Sequence, residues 1–379
     1  MKIMTTAMHV AKRGMPVWAG FFLGGLLLAG SVQAKTLTYS NYSSPTSPSA
    51  KALQKAFDMV KKETGGKLTF NVYDSGTLTN GKTTLSGITN GVADGGVLVA
   101  PYTPSELPVN NIISDLMFYN DDVRVAVAAS TDTILNDCPA CLAEFKKHNV
   151  HVLSSMATSP YRMMCKGTYE GGFDPQGLRM RAGTSETSRW VKDIGGVPVG
   201  MAQTEAYQGL QRNALDCALG VLTWLHTYSW AEVVGTVVTM PIGGYQGGSL
   251  MNLSQQDWDS LDSKTQNIMR KAAMYAIAAQ TFIYLRQDKD AAEQARDKYH
   301  VQFVAPSAQL KAKAESFKES EKQVAIANAK AKGVEHPEAV VDAFVGNVNK
   351  WKKLIGDQDI SEQQFVQLLI DNILKAPRN

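Results

Sequence analysis

The chain has 379 residues, and residues 1–34 hold three basic and no acidic side chains, so the remainder balances at 35 basic against 35 acidic groups. That neutrality leaves no electrostatic footprint for nucleic acid or for an anionic membrane surface. The roughly 345 residues after position 34 exceed what one hydrophobic core usually organises, which predicts two lobes.

Lys2, Lys12 and Arg13 precede an apolar run from Pro16 to Gly30, and Ser31-Val32-Gln33-Ala34 follows with small residues where a signal peptidase reads. This layout predicts a signal peptide cleaved after Ala34, with the mature chain starting at Lys35. The run is about 15 residues long, short of the roughly 20 that span a bilayer. Ser31 stands where a lipid-anchored protein would need cysteine. The mature protein is therefore expected to be soluble and not membrane-inserted, and no later stretch is apolar enough to span.

From Lys35 the pattern reads strand, helix, strand: Thr36 to Ser40 alternates, Ala50 to Lys62 has helical spacing, and Lys67 to Tyr73 alternates again. Ser47-Pro48-Ser49 supplies capping oxygens and a first-turn proline, and Gly65-Gly66 follows the helix end. A helix over Lys82–Asn90 then leads through Gly91 into the apolar stretch Gly95–Ala100, read as a buried parallel strand. Later the device repeats, with a helix over Glu205–Arg212, a turn near Asn213 and a strand starting Asp216-Cys217-Ala218-Leu219. The glycine-rich Gly243 to Gly248 is a hinge or an ordinary loop. Leu250–Leu253 reads as a strand, Ser254 as a cap for a helix from Gln255, and beyond Leu261 long amphipathic helices with solvated charged faces dominate.

Export into an oxidising space favours paired cysteines. Cys138-Pro139-Ala140-Cys141 reads as a structural disulfide tightening a helix start, with a catalytic dithiol as the alternative. Cys165 and Cys217 are left as a second candidate bridge. The dinucleotide G-x-G-x-x-G, zinc-protease H-E-x-x-H and serine-hydrolase G-x-S-x-G motifs are absent from the sequence. His148 and His151 read as surface or satisfied histidines, and scattered carboxylates offer no acid–base pair. No cofactor or metal is expected.

What stands out is arginine inside apolar strands: Arg162 in Tyr161-Arg162-Met163-Met164-Cys165, and Arg179 and Arg181 in Gly177-Leu178-Arg179-Met180-Arg181-Ala182. Leu178, Met180 and Ala182 share one strand face and the two arginines the other. A guanidinium facing a cleft suits bidentate carboxylate recognition, whereas pairing with an internal carboxylate such as Asp174 is the plainer alternative.

Gly177 to Arg181, Gly195-Gly196-Val197-Pro198-Val199, Glu205 to Gln211 and Leu215-Asp216 together resemble the core signature of TRAP transporter solute-binding proteins. The resemblance extends through Gly76-Thr77-Leu78, Gly91 to Asp94 and Leu253-Ser254 to Gln266, covering roughly residues 36–300.

It implies an α/β fold of two lobes with mixed sheets joined by long hinge strands, plus C-terminal helices. Residues 35–159 with 247–290 would form the first lobe, 160–246 with 291–340 the second, and helices in 341–379 would pack across both. The implied function is that of a monomeric periplasmic receptor, not an enzyme, binding a small organic acid such as a C4-dicarboxylate and passing it to a membrane permease. By the same resemblance Arg181 grips the ligand carboxylate, Arg162 assists, Asn41 reads the ligand from the first lobe, and Lys82 is a further candidate.

Where the family often has asparagine, four residues after the aspartate, this chain has Gly220. Trp224, His226 and Tyr228 lie just beyond, and Tyr102, Tyr161 and Trp190 are aromatics near the motif segments. Two or more of these in the cleft would favour an aromatic or bulky acid over a short dicarboxylate. The competing functions are an exported thiol/disulfide oxidoreductase using Cys138 and Cys141, and a ligand sensor for a membrane receptor.

Overall fold

A computed structural model describes residues 34–169, 173–356 and 358–375; the expected signal peptide lies outside them. The opening unit is β1 (Lys35–Ser40), a helix (Pro48–Glu63) and β2 (Leu68–Tyr73). Leu37 and Tyr39 of β1 turn into the core while Thr36 and Thr38 face outward, the period-two pattern of a half-buried strand. Ser47 caps the helix by accepting from the Ala50 amide at 3.2 Å, and Gly65 and Gly66 end it at φ of 62° and 80°. Phe57 of the helix stacks on Phe70 of β2 with ring centroids 3.9 Å apart, and the edge of Tyr39 closes the triangle at 5.0 Å. Each such buried ring contributes about 1.5–3 kcal/mol.

β3 is only Gly95–Gly96, and the order in this sheet is β2-β1-β3, all parallel. The expected strand over Gly95–Ala100 stops early because the side chain of Asn252 takes the place of a neighbouring strand. Its Oδ1 accepts from the Gly96 amide at 3.2 Å and its Nδ2 donates to the Gly96 carbonyl at 2.7 Å. Leu98 then bridges Ser249, and Ala100–Tyr102 winds into a single 3₁₀ turn.

β4 (Val150–Ala157) runs antiparallel to β10 (Gln246–Ser254). Between them in sequence come β5 (Arg162–Cys165), β6 (Arg179–Ala182), β7 (Val197–Gly200), β8 (Cys217–Gly220) and β9 (Thr236–Val238). With β11 (Gln302–Val304) these form a mixed six-stranded sheet in the order β11-β9-β5-β8-β6-β7. Thus β4 leads the chain from the three-stranded sheet into the six-stranded one, and β10 follows the last of β5–β9.

The two crossings hold each other. The Thr158 amide donates to the Tyr245 carbonyl at 2.8 Å, the Tyr161 amide to the Gly243 carbonyl at 2.5 Å, and the Ile242 amide to the Tyr161 carbonyl at 3.2 Å. Gly243 is fixed here by its backbone: φ is 72°, and a Cβ would collide with the Met117 carbonyl. Four helices, Ser263–Tyr299, Ala308–Ala331, Pro337–Ile355 and Glu362–Leu369, complete the fold. Among the described residues no helix is long and apolar enough to cross a membrane.

Cys138 is bonded to Cys141 and Cys165 to Cys217. The first pair sits at the start of helix Pro139–Lys147, with Cys138 3% and Cys141 0% exposed, so solvent thiols have no path to it. The second links facing residues of β5 and β8.

Candidate functional site

Arg181 lies at the centre of β6 and is 1% exposed, although its strand neighbour Arg179 is not buried. Their partners explain the difference. Arg179 closes a two-pronged pair on Asp216, with Nε and Nη2 at 2.9 and 2.7 Å from the carboxylate oxygens. That pair draws the Asp216 carboxyl below its ordinary range, and it leaves the aspartate of the Leu215-Asp216 motif serving Arg179 and not a ligand.

Arg181 has only neutral partners. Nε donates to the Met201 carbonyl at 2.8 Å, Nη1 to the Leu219 carbonyl at 2.9 Å, and Nη2 reaches the Tyr102 hydroxyl at 3.5 Å. The guanidinium carbon lies 5.5 Å from the centroid of the Trp224 indole. Gly183 makes this possible, because a Cβ at that position would overlap Nη2 and Cζ of Arg181.

Arg181 opens onto a partly enclosed cavity of about 30 Å³. Around it stand Tyr42, Tyr102, Tyr161, Trp224, Tyr228, Tyr245 and Tyr284, with Gln203, Thr158 and Thr184 supplying polar atoms. Burial holds the protons on the phenols: Tyr161 is pushed up to about 12 in spite of the nearby Arg181 charge, and Tyr42, Tyr102, Tyr228 and Tyr284 are raised for the same reason. The wall is therefore neutral and able to donate. Gln203, just before the helix Ala206–Gln211, ties it across the cleft by donating to Tyr42 Oη at 3.2 Å and accepting from Tyr102 Oη.

Gly220 at the end of β8 has a steric role. A Cβ there would run into the indole of Trp224 and touch Trp230, so the ring occupies the room that a side chain at 220 would need.

A second buried group lies where helix Ser185–Asp193 meets residues 115–118. Glu186 is 0% exposed and accepts from the Met117 amide at 2.6 Å. Burial, then the nearby Glu321 and Asp115, push its carboxyl well above the ordinary range. Arg189 pairs with Glu321, Nε at 3.0 Å, and Ser185 donates to Asp115.

Of the residues singled out from sequence, Arg181, Tyr102, Tyr161, Trp224 and Tyr228 come together at the cavity. Arg162 is not among its lining residues. It follows Tyr161 by one position, so its side chain leaves the opposite face, where Nη1 donates to the carbonyls of Pro160 and Tyr161, both at 3.0 Å. Asn41, fully buried, donates to Asp74 Oδ1 at 2.7 Å and accepts from the Ser43 amide at 3.2 Å, which shapes the loop after β1.

Lys82 is exposed in an outer groove of about 360 Å³ that shares Tyr102, Gly183 and Thr184 with the cavity. Trp190 is a core residue packed edge-on to Phe118 and Phe317, and His226 is bonded to Gln294 at the surface. His148 bonds to the Glu106 carbonyl, and His151 stacks on Trp258 with centroids 4.0 Å apart. Among the described residues no cluster of His, Cys, Asp and Glu has the makings of a metal site. Tyr42, Gln203, Tyr245 and Tyr284 were not foreseen. Tyr42 adjoins Asn41 and Gln203 precedes a motif helix, which is the signal that marks them; Tyr284 has none.

The family model for bacterial extracellular solute-binding proteins, family 7, matches residues 39–328. No curated protein matches the chain. Among solved structures, a TRAP solute-binding protein from Rhodoferax ferrireducens T118 in complex with copurified benzoate is 18% identical, with a TM-score of 0.75 over 85% of this chain and all of that one. A marine metagenome TRAP protein specific for aromatic acid ligands, in complex with metahydroxyphenylacetate, is 18% identical with a TM-score of 0.74 over 83% of this chain and 99% of that one. A TRAP periplasmic protein from Desulfovibrio salexigens with bound orotic acid is 19% identical with a TM-score of 0.72 over the same shares. The fold, with its two lobes, is theirs, and neither the family nor these neighbours are enzymes, which removes the oxidoreductase alternative. The chain belongs to the family 7 bacterial extracellular solute-binding proteins, the solute-binding proteins of TRAP transporters.

Proposed function

We propose that the chain is exported to the periplasm, loses residues 1–34, and captures a small organic acid on Arg181 for delivery to the membrane subunits of a TRAP transporter. One observation carries this reading: a guanidinium 1% exposed whose hydrogen-bond partners are two carbonyls and a phenol. A buried charge without a counter-charge costs several kcal/mol, which an anion in the cavity would offset. Arginine carries five N–H donors, and its two terminal nitrogens form the fork that suits both oxygens of one carboxylate.

The ligands named for the solved neighbours, benzoate, metahydroxyphenylacetate and orotic acid, are all acids and support the assignment. We assign residues 35–159 with 247–290 to one lobe, 160–246 with 291–340 to the other, and the helices of 341–379 to a layer across both. Closure is a population shift driven by contacts from both lobes, with Tyr42 and Tyr102 meeting Gln203 from opposite sides. In this arrangement Arg162 acts indirectly, by fixing the backbone at Tyr161.

The test is a thermal-shift screen over mono- and dicarboxylates, sugar acids and aromatic acids, each beside its uncharged amide. A ligand of the folded form raises the melting temperature by mass action. The expected result is a rise with at least one acid and none with its amide. A flat response to every acid would sink the proposal.

A further inference from the structure

We infer that the Arg181 cavity selects an acid carrying one negative charge and one aromatic ring over a short dicarboxylate, an inference that rests on the receptor reading above.

The first part is a matter of charge. Among the described residues that line the cavity, Arg181 is the one charged side chain. Arg162 is spent on backbone carbonyls behind Tyr161, and Lys82 and Lys332 belong to the outer groove. A second carboxylate would have to be buried against neutral phenols and amides, which return only part of the hydration it gives up. A dicarboxylate would therefore enter with half its charge unmatched.

The second part is a matter of surface. Trp224 lies 5.5 Å from Tyr161 and 6.0 Å from Tyr228 by ring centroids, with planes tilted at 59° and 66°. Tilted neighbours turn edges and faces toward a common space, the geometry in which another ring finds an edge-to-face or offset partner. This wall is written into the backbone, because Gly220 leaves the room that the Trp224 indole fills.

Isothermal titration of the purified protein with benzoate, cyclohexanecarboxylate and succinate separates the possibilities. Benzoate and cyclohexanecarboxylate match in charge and closely in size and differ in the ring, and succinate adds the second charge. Benzoate is expected to bind tightest, with cyclohexanecarboxylate weaker by about twofold to tenfold, the range of an aromatic pair, and succinate weaker by at least about tenfold. Trp224→Leu should bring the ratio of the first two close to one; the ratio in the unaltered protein decides the matter even where that variant folds poorly.

Succinate binding as tightly as benzoate would overturn the inference and leave the receptor reading standing. Equal affinity for benzoate and cyclohexanecarboxylate would overturn it as well, the ring then counting only as apolar bulk. A protein that binds none of the three, nor any acid in the wider screen, would take both readings down together.

Discussion

Replacing Arg181 with methionine removes the charge while keeping an unbranched side chain of similar reach. In the folded protein the guanidinium gives up three hydrogen bonds, to Met201, Leu219 and Tyr102, and the buried charge that they only partly satisfy. These changes oppose each other in the ligand-free protein, so its melting temperature should move little. With the acid present nothing cancels: truncating one partner of a buried, hydrogen-bonded charge pair costs about 3–5 kcal/mol. At about 1.4 kcal/mol per decade, the dissociation constant should rise by a factor of about one hundred to about four thousand. Arg181→Lys keeps the charge but not the fork, and should fall between the two by roughly tenfold. Titration calorimetry on whichever acid the thermal screen returns measures all three proteins. An Arg181→Met affinity within about threefold of the parent would refute the assignment of the carboxylate to this residue.

Gly183→Ala should weaken the same acid by at least about tenfold while leaving the circular dichroism unchanged, because the added methyl pushes the guanidinium off its seat. Phe57→Ala should lower the free energy of unfolding by about 3–5 kcal/mol in urea titration, since its ring is packed between Phe70 and Tyr39. Tyr245 lines the cavity and its buried hydroxyl has no hydrogen-bond partner among the described residues, so it is free to meet a polar substituent on a ligand. Tyr245→Phe should therefore weaken a ring-hydroxylated benzoate more than benzoate itself, by about the worth of one hydrogen bond, roughly fivefold.

Glu186 gives a pH signature. Its carboxyl is raised in the folded state by burial and then by Glu321 and Asp115, so the folded protein holds a proton that the unfolded chain releases near the ordinary glutamate value. Stability must then decline as pH climbs from that value through the raised one. Glu186→Gln should flatten the decline, gaining most at pH 8 and least at pH 4 in chemical denaturation; a gain independent of pH would show that the carboxyl does not titrate as described.

Much of the first lobe was legible in the sequence because its signals are local. The alternation of β1, the Ser47 cap and Gly65-Gly66 lie within a few residues of what they control. The early end of β3 was not, because it depends on Asn252, which is 156 residues away from Gly96. The same division runs through the site. Arginine in an apolar strand marked Arg162, Arg179 and Arg181 alike, and it was the family resemblance that gave Arg181 and Arg162 the ligand. Alternation from Tyr161 separates them, yet only the fold says which face of β5 looks into the cavity. Tyr102 and Trp224 could be suspected from their nearness to motif segments, whereas Tyr284 sits in mid-helix among residues of ordinary amphipathic spacing, and no pattern distinguishes it from a core tyrosine.

The two chain crossings bond to each other through Thr158, Tyr161, Ile242, Gly243 and Tyr245, and two of these residues, Tyr161 and Tyr245, also border the cavity. Points on an axle travel least when the arms swing. In the proposed closure, a solute touching those two rings would keep its footing as the lobes move. By the same proposal the rims, farthest from that axle, would sweep the widest arc, so that an ångström-scale event at the axle would become a change in the shape of a whole face.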